Sequence, residues 1–141
     1  MPVRKLAVEP VTAERGTAVR RLAEIMDEER LGDLIVVEGD RPVGIVTDRD
    51  LALAIARHDD LDSLTAGDVM TADPVTIRGD AEDFELAETF AEARVRRLPV
   101  VDDDGALTGV VTLDDLVATV GEELKDVATV IEAQSREYEP E

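Results

Sequence analysis

Cysteine and tryptophan are both absent from the 141 residues. That excludes disulfides, thiolate metal sites and a cysteine nucleophile. A single histidine, His58, excludes a multi-histidine metal site and a serine–histidine relay repeated along the chain. Aromatic residues make up only 2%, one tyrosine and two phenylalanines. Any core must therefore be built from Val, Leu, Ile and Ala. Apolar runs long enough for a membrane span are missing, and no signal peptide opens the sequence. The expected location is the cytoplasm.

Basic residues are also scarce. There are 15 against 34 acidic ones, a formal net charge of −19, and only Lys5 and Lys125 are lysines. Such a surface repels phosphate backbones and anionic membranes at long range, so neither nucleic acid nor a membrane is an expected partner. Dense carboxylates also suit a protein that works in concentrated salt, where repulsion is screened within a few ångströms. What is present is a hydrophobic content of 44%. That is enough for a real core in one compact domain or two very small ones.

The chain contains itself twice. Pro10-Val11-Thr12 recurs as Pro74-Val75-Thr76, and Val36-Val37 as Val100-Val101, at an offset of 64 residues. Gly44-Ile45-Val46-Thr47 recurs as Gly109-Val110-Val111-Thr112, one residue later, and the extra residue falls in the turn Asp102–Ala106. Each copy predicts a short extended piece, at Val11-Thr12 and Val75-Thr76. A helix follows over Thr17–Arg30 and Ala81–Arg94, with apolar residues at three- and four-residue spacing. Two strands come next, Leu34–Glu38 with Pro42–Thr47 and Leu98–Asp102 with Leu107–Thr112. A second helix covers Asp48–Arg57 and Leu113–Val120. The expected class is α/β (α+β), two β-α-β-β-α repeats packed sheet to sheet. A unit of about 60 residues closes its own core poorly.

The segments Leu34-Ile35-Val36-Val37, Gly44-Ile45-Val46-Thr47-Asp48-Arg49-Asp50-Leu51, Asp68-Val69-Met70, Arg96-Arg97-Leu98-Pro99-Val100-Val101-Asp102 and Gly109-Val110-Val111-Thr112-Leu113-Asp114-Asp115-Leu116 resemble the CBS (cystathionine β-synthase) domain. The resemblance covers about residues 3–120, and the full motif order occurs twice. It implies a tandem pair, or Bateman module, with pseudo-twofold symmetry, two clefts between the copies and association into a homodimer. Repeats would occupy 1–64 and 65–120, followed by a tail over 121–141. It further implies a non-catalytic sensor of adenosyl ligands such as AMP, ADP, ATP or S-adenosylmethionine, with no obligatory cofactor and no metal.

Thr47-x-x-Asp50 and Thr112-x-x-Asp115 each sit where a strand meets a helix. Read structurally, each is a capping box. Read functionally, a helix start offers N–H groups and partial positive charge to an anion, and a carboxylate accepts from ribose hydroxyls. The resemblance assigns ribose to Asp50 and Asp115, and phosphate or ribose to Thr47 and Thr112. It places the base near Thr12 and Thr76 and near Leu34-Ile35 and Leu98-Pro99, although Leu34 and Leu98 are individually better explained as core. Arg49 and the cluster Arg94, Arg96 and Arg97 are candidate phosphate ligands, or surface arginines paired with neighbouring carboxylates. The counterparts of Arg96 and Arg97 are Gly32 and Asp33, so the two clefts should not be equivalent.

Asp102-Asp103-Asp104-Gly105 lacks the rest of a calcium loop and reads as a solvated turn. His58 reads as an exposed helix end, and Met26 and Met70 as core. Beyond the repeats, Val117, Val120, Leu124, Val127 and Ile131 continue an apolar stripe, with a break or bend allowed at Gly121. That stripe can pack on the module, on a dimer partner or on an effector protein. An interaction module that docks through it, and binds no nucleotide, is the alternative to a sensor. Ser135 to Glu141 read as a frayed acidic end.

Overall fold

A computed structural model describes residues 1–135. All but the first residue of the expected acidic end, 136–141, lies outside them. In the first copy, β1 (Thr12–Glu14) precedes α1 (Val19–Glu29), the strands β2 (Asp33–Glu38) and β3 (Arg41–Thr47), and α2 (Asp48–Arg57). A 3-10 turn over Leu61–Ser63, the short helix α3 (Ala66–Val69) and β4 (Thr71–Ala72) connect the copies. The second copy runs β5 (Ile77–Arg78), α4 (Asp83–Ala93), β6 (Arg97–Val101), β7 (Leu107–Thr112) and α5 (Leu113–Ser135). The strands form two sheets, in the orders β1-β2-β3-β4 and β5-β6-β7. In both, the first pair is parallel and the hairpin antiparallel.

The repeat extends to fine detail. α1 buries Val19, Leu22 and Met26 and ends on Arg30 at φ 56°, while α4 buries Leu86 and Phe90 and ends on Arg94 at φ 55°. A bulge interrupts the hairpin between Val36 and Val37 and again between Val100 and Val101. The extended pieces begin later than the motif suggested. Ala13 opposite Val36 and Ile77 opposite Val100 are the residues that pair and bury. The turn at Asp102 is a tight hairpin: its Oδ1 accepts from the N–H of Asp104 and of Ala106, and Gly105 takes φ 84°. The helix expected over Leu113–Val120 does not break at Gly121 but continues to Ser135.

Each core is completed by a segment from the other copy. Val3 and Leu6, which precede the first repeat's β1, pack among Ile77, Leu86, Phe90, Leu98, Val100 and Val111. Symmetrically, Ala66, Val69 and Met70 pack with Leu22, Met26, Leu34, Val36 and Val46. The exchanged segments then run along the third strand of the sheet they join, β7 and β3 respectively. Val8 and Val110 exchange backbone hydrogen bonds of 2.9 Å, and β4 pairs with Gly44 and Ile45. Glycine makes this close approach possible. A Cβ on Gly109 would sit 3.1 Å from the Val8 carbonyl oxygen, and one on Gly44 would lie 3.1 Å from the Met70 Cβ. The two hairpins also meet directly, where the Leu107 N–H donates to the Asp40 carbonyl at 2.7 Å. Two sheets thus pack across a pseudo-twofold axis. Among the described residues no polar or charged side chain is buried, so every carboxylate stays at or near the surface.

This exchange predicts long-range effects of small truncations. Leu98→Ala should cost about 2–5 kcal/mol in urea unfolding. Val3→Ala, near the start of the chain, should destabilise the second repeat rather than the first. Hydrogen exchange should show faster opening at Val100 and Val111 than at Val36 and Val46.

Candidate ligand-binding cleft

The helix start at Thr47 is capped as a full box. Thr47 Oγ1 accepts from the Asp50 N–H at 3.1 Å, and Asp50 Oδ2 accepts from the Thr47 N–H at 2.9 Å. The Asp48 N–H donates to the Gly32 carbonyl at 2.9 Å. These bonds use the hydroxyl as acceptor and one carboxylate oxygen. They leave the Thr47 hydroxyl proton, Asp50 Oδ1 and the Arg49 N–H without partners among the described residues. Capping and ligand contact are therefore compatible at this helix. The second start is half made. Thr112 Oγ1 accepts from the Asp115 N–H at 3.0 Å, with no return bond from the Asp115 carboxylate.

Both helix starts face one cleft of about 790 Å³, within the range of small-molecule sites. The first copy contributes Asp33 and Thr47 to Asp50, the connection contributes Thr71 and Asp73 to Val75, and the second copy contributes Arg94 to Arg97 with Thr112 and Asp114. Val75 and Val95 give it apolar surface, and both are exposed. Four arginines converge here. Arg96 pairs with Asp114 at 3.1 Å and Arg97 pairs with Asp33, whereas Arg49 and Arg94 have no carboxylate partner among the described residues. The pseudo-symmetric counterpart is a pocket of about 60 Å³ lined mainly by Val8, Val11, Leu31, Ile35 and Val110. Glu9, Asp33 and Arg97 complete its lining; Arg30, the equivalent of Arg94, does not line it, and Gly32 stands at the equivalent of Arg96. Asp73, at φ 53°, turns the chain into the large cleft, while its equivalent Glu9 has no such kink.

The sequence candidates divide accordingly. Thr47, Arg49, Asp50, Arg97 and Thr112 are brought together in the large cleft. Ile35 lies in the small pocket, which Arg97 also borders. Thr12 and Thr76 are exposed, Asp115 is half-buried, and Pro99 is buried within β6; none of these four lines either space. Leu34 and Leu98 are core. Sequence reasoning missed Asp33, Asp48, Asp73 and Val75. The 64-residue offset carried one signal for them, because Asp33 is the equivalent of Arg97.

That equivalence places the pair on the pseudo-twofold axis, since the two positions meet only there. A symmetric duplicate would set like against like. Here an acid meets a base, and the arginine's neighbours Arg94 and Arg96 stay on one side. Despite Arg97, the Asp33 carboxyl is held above the ordinary carboxylate range. Burial is the largest cause, Arg97 opposes it, and the Asp48 charge adds to it.

The comparisons with known proteins agree with this architecture. The CBS domain family model matches residues 3–57 and 66–122, and the chain belongs to that family. An uncharacterized protein of Methanopyrus kandleri, MK0525, is 38% identical over 118 residues, 77% of this chain and 60% of that protein. Inosine-5'-monophosphate dehydrogenase of Korarchaeum cryptofilum is 33% identical over 75% of this chain, which spans only 21% of that enzyme. The CBS domain pair of protein MJ0100, solved in complex with 5'-methylthioadenosine and S-adenosyl-L-methionine, superposes with a TM-score of 0.77. It is 26% identical, with 87% of this chain and 98% of that one covered. The CBS domain protein PAE2072 of Pyrobaculum aerophilum, complexed with AMP, gives a TM-score of 0.73. It is also 26% identical, over 82% of this chain and 89% of that one. Among the described residues no helix is long and apolar enough to cross a membrane.

The axis pair makes a titration prediction. A carboxyl whose folded pKa is raised favours the folded state below its unfolded pKa. It loses that contribution as pH rises through the raised value. Removing the opposing charge with Arg97→Gln should raise the Asp33 pKa further, and Asp48→Asn should lower it. Carboxyl-carbon NMR titration reads both directions.

Proposed function

We propose that this chain is a regulatory sensor, without chemistry of its own, that binds one adenosyl ligand per chain in the large cleft. One observation carries the reading. A nucleotide-sized space joins the open Thr47–Asp50 helix start of one repeat to the arginine segment of the other, while its symmetric twin measures only about 60 Å³ and is lined mainly by aliphatic side chains. The ligands seen in the MJ0100 pair and in PAE2072 support the chemical class. Asp50 Oδ1 accepts from the ribose hydroxyls. The Thr47 hydroxyl and the Arg49 N–H meet phosphate at the positive end of α2, with Thr112 facing them. Arg49 and Arg94, which have no ion-pair partner among the described residues, supply the charge that a phosphorylated ligand needs, and Arg97 holds the axis. Val75 and Val95 offer the base an apolar seat. Thr12, Thr76, Ile35, Pro99 and Asp115 then support the cleft from outside it.

The moving parts are the repeats 1–64 and 65–120, each with its leading segment seated in the core of the other. A ligand that contacts both favours one relative arrangement and shifts the population towards it. A homodimer in the cytoplasm, reporting to an effector protein, completes this reading. Calorimetry with AMP, ADP, ATP, S-adenosylmethionine and NAD should give a stoichiometry of one. Asp50→Ala should weaken the best ligand about tenfold to a hundredfold, the worth of a charged hydrogen bond. Arg49→Ala with Arg94→Ala should weaken AMP while leaving 5'-methylthioadenosine, which has no phosphate, unchanged. Two ligands per chain, or an unaltered affinity in Asp50→Ala, would refute the assignment.

The surface makes a separate prediction. With a net charge of −19 and no charged side chain buried among the described residues, self-repulsion opposes the compact state at low ionic strength. The thermal midpoint should rise steeply from 0.05 M to molar KCl, as circular dichroism would show. A flat profile would contradict a protein suited to concentrated salt.

A further inference from the structure

Among the described residues, nothing buries the distal part of α5. Every residue from Val120 to Gln134 is exposed, and the stripe residues are between 39% (Val120) and 64% (Leu124) exposed. Such a segment is a poor solitary helix. Over residues 117–131 it carries Gly121 and the β-branched Val117, Thr119, Val120, Val127, Thr129, Val130 and Ile131. These residues lower helix propensity, and isolated helices of this length are marginal in water. The segment needs a packing partner to stay helical.

Charge shows which face is covered. With Val117, Leu124 and Ile131 as a positions and Val120 and Val127 as d positions, the spacing is that of a coiled-coil seam. The flanking e and g positions from Gly121 to Val130 are Gly121, Glu123, Ala128 and Val130. Glu122, Lys125, Asp126 and Glu132 all fall at b, c and f, away from the seam. On so acidic a chain, three turns of helix thus present a face with one carboxylate.

We infer that this face is covered by the same face of a second copy, in a parallel, in-register pair of α5 helices. Selection of a foreign helix relies on complementary e and g charges, and this seam has none to offer beyond Glu123. Self-pairing in register stacks five aliphatic layers and sets Glu123 against Ala128 of the other copy rather than against a carboxylate. An antiparallel pair on the same seam would set Val117 against Gln134. This inference concerns the tail alone and does not depend on what the cleft binds.

The absence of cysteine makes the test direct. In the full chain, Val127→Cys should form an intermolecular disulfide quantitatively under mild oxidation at micromolar concentration, and Lys125→Cys, at a b position, should not. Sedimentation equilibrium should show dimers whose dissociation constant falls as salt rises. Leu124→Glu with Val127→Glu should raise that constant at least tenfold and reduce helical ellipticity, with calorimetric binding of AMP unchanged, which separates failure of the seam from failure of the cleft. Both side chains are exposed, so the globular part tolerates the change. Three results would overturn the proposal: a monomeric wild type across the salt range, a dimer indifferent to the double substitution, or equal cross-linking at 125 and 127. Loss of a co-purifying protein from the double variant, with the wild-type chain alone monomeric, would assign the face to an effector instead.

Discussion

Neither repeat can close a core by itself, and everything else in the molecule follows from that shortage. With aromatics at 2%, each half has only aliphatic side chains with which to exclude water. A unit of about 60 residues buries too small a fraction of its surface for these to suffice. The remedy is reciprocal. Val3 and Leu6 fill the second core, and Ala66 and Met70 fill the first. Because each half lends its leading segment, the halves cannot separate without both cores opening. The seam between them is therefore part of the folded state itself, and a ligand bound on it biases small displacements of two halves that stay joined.

Duplication sets the symmetry, and a few residues break it. The axis is marked by Asp33 and Arg97, equivalent positions that pair with each other. On one side lie Arg94 and Arg96 with the open α2 start; on the other, Leu31, Val8 and Val110 line a much smaller space. The same contrast appears in the caps, complete at Thr47 and half made at Thr112. A site that reads the relative placement of two halves has no need of two equivalent pockets. One pocket with contacts from both halves already links its occupancy to their arrangement.

Much of this was legible because the information is local and doubled. Turn residues, strand runs and the Thr-x-x-Asp caps lie within short windows, and a motif that occurs twice at one offset confirms itself. The strands Leu34–Glu38 and Leu107–Thr112 and the helix Asp48–Arg57 appear where the pattern put them, to within a residue. What the sequence hid is what depends on packing between halves. Nothing near Val3 indicates that it belongs to the second core. Nothing near Asp73 marks a left-handed residue at the cleft, and nothing near Pro99 shows that it is buried within a strand rather than open to a ligand. Gly121 misled in the opposite direction, because propensity permits a break that the helix does not take.

The distribution of charge ties these parts together. A chain at −19 can place its carboxylates almost anywhere on the surface, since no charge is buried among the described residues. Places that carry few of them, or that offset them with arginine, are therefore informative. Two such places are the cleft, where four arginines stand among five aspartates, and the a, d, e and g face of α5 from Gly121 to Val130, where a single glutamate remains. In the cleft, cations relieve repulsion against an anionic ligand at short range, where salt screens least. On α5, neutrality relieves repulsion against another copy of the same acidic chain. In both places the local departure from the global charge reduces the repulsion that a partner would otherwise meet.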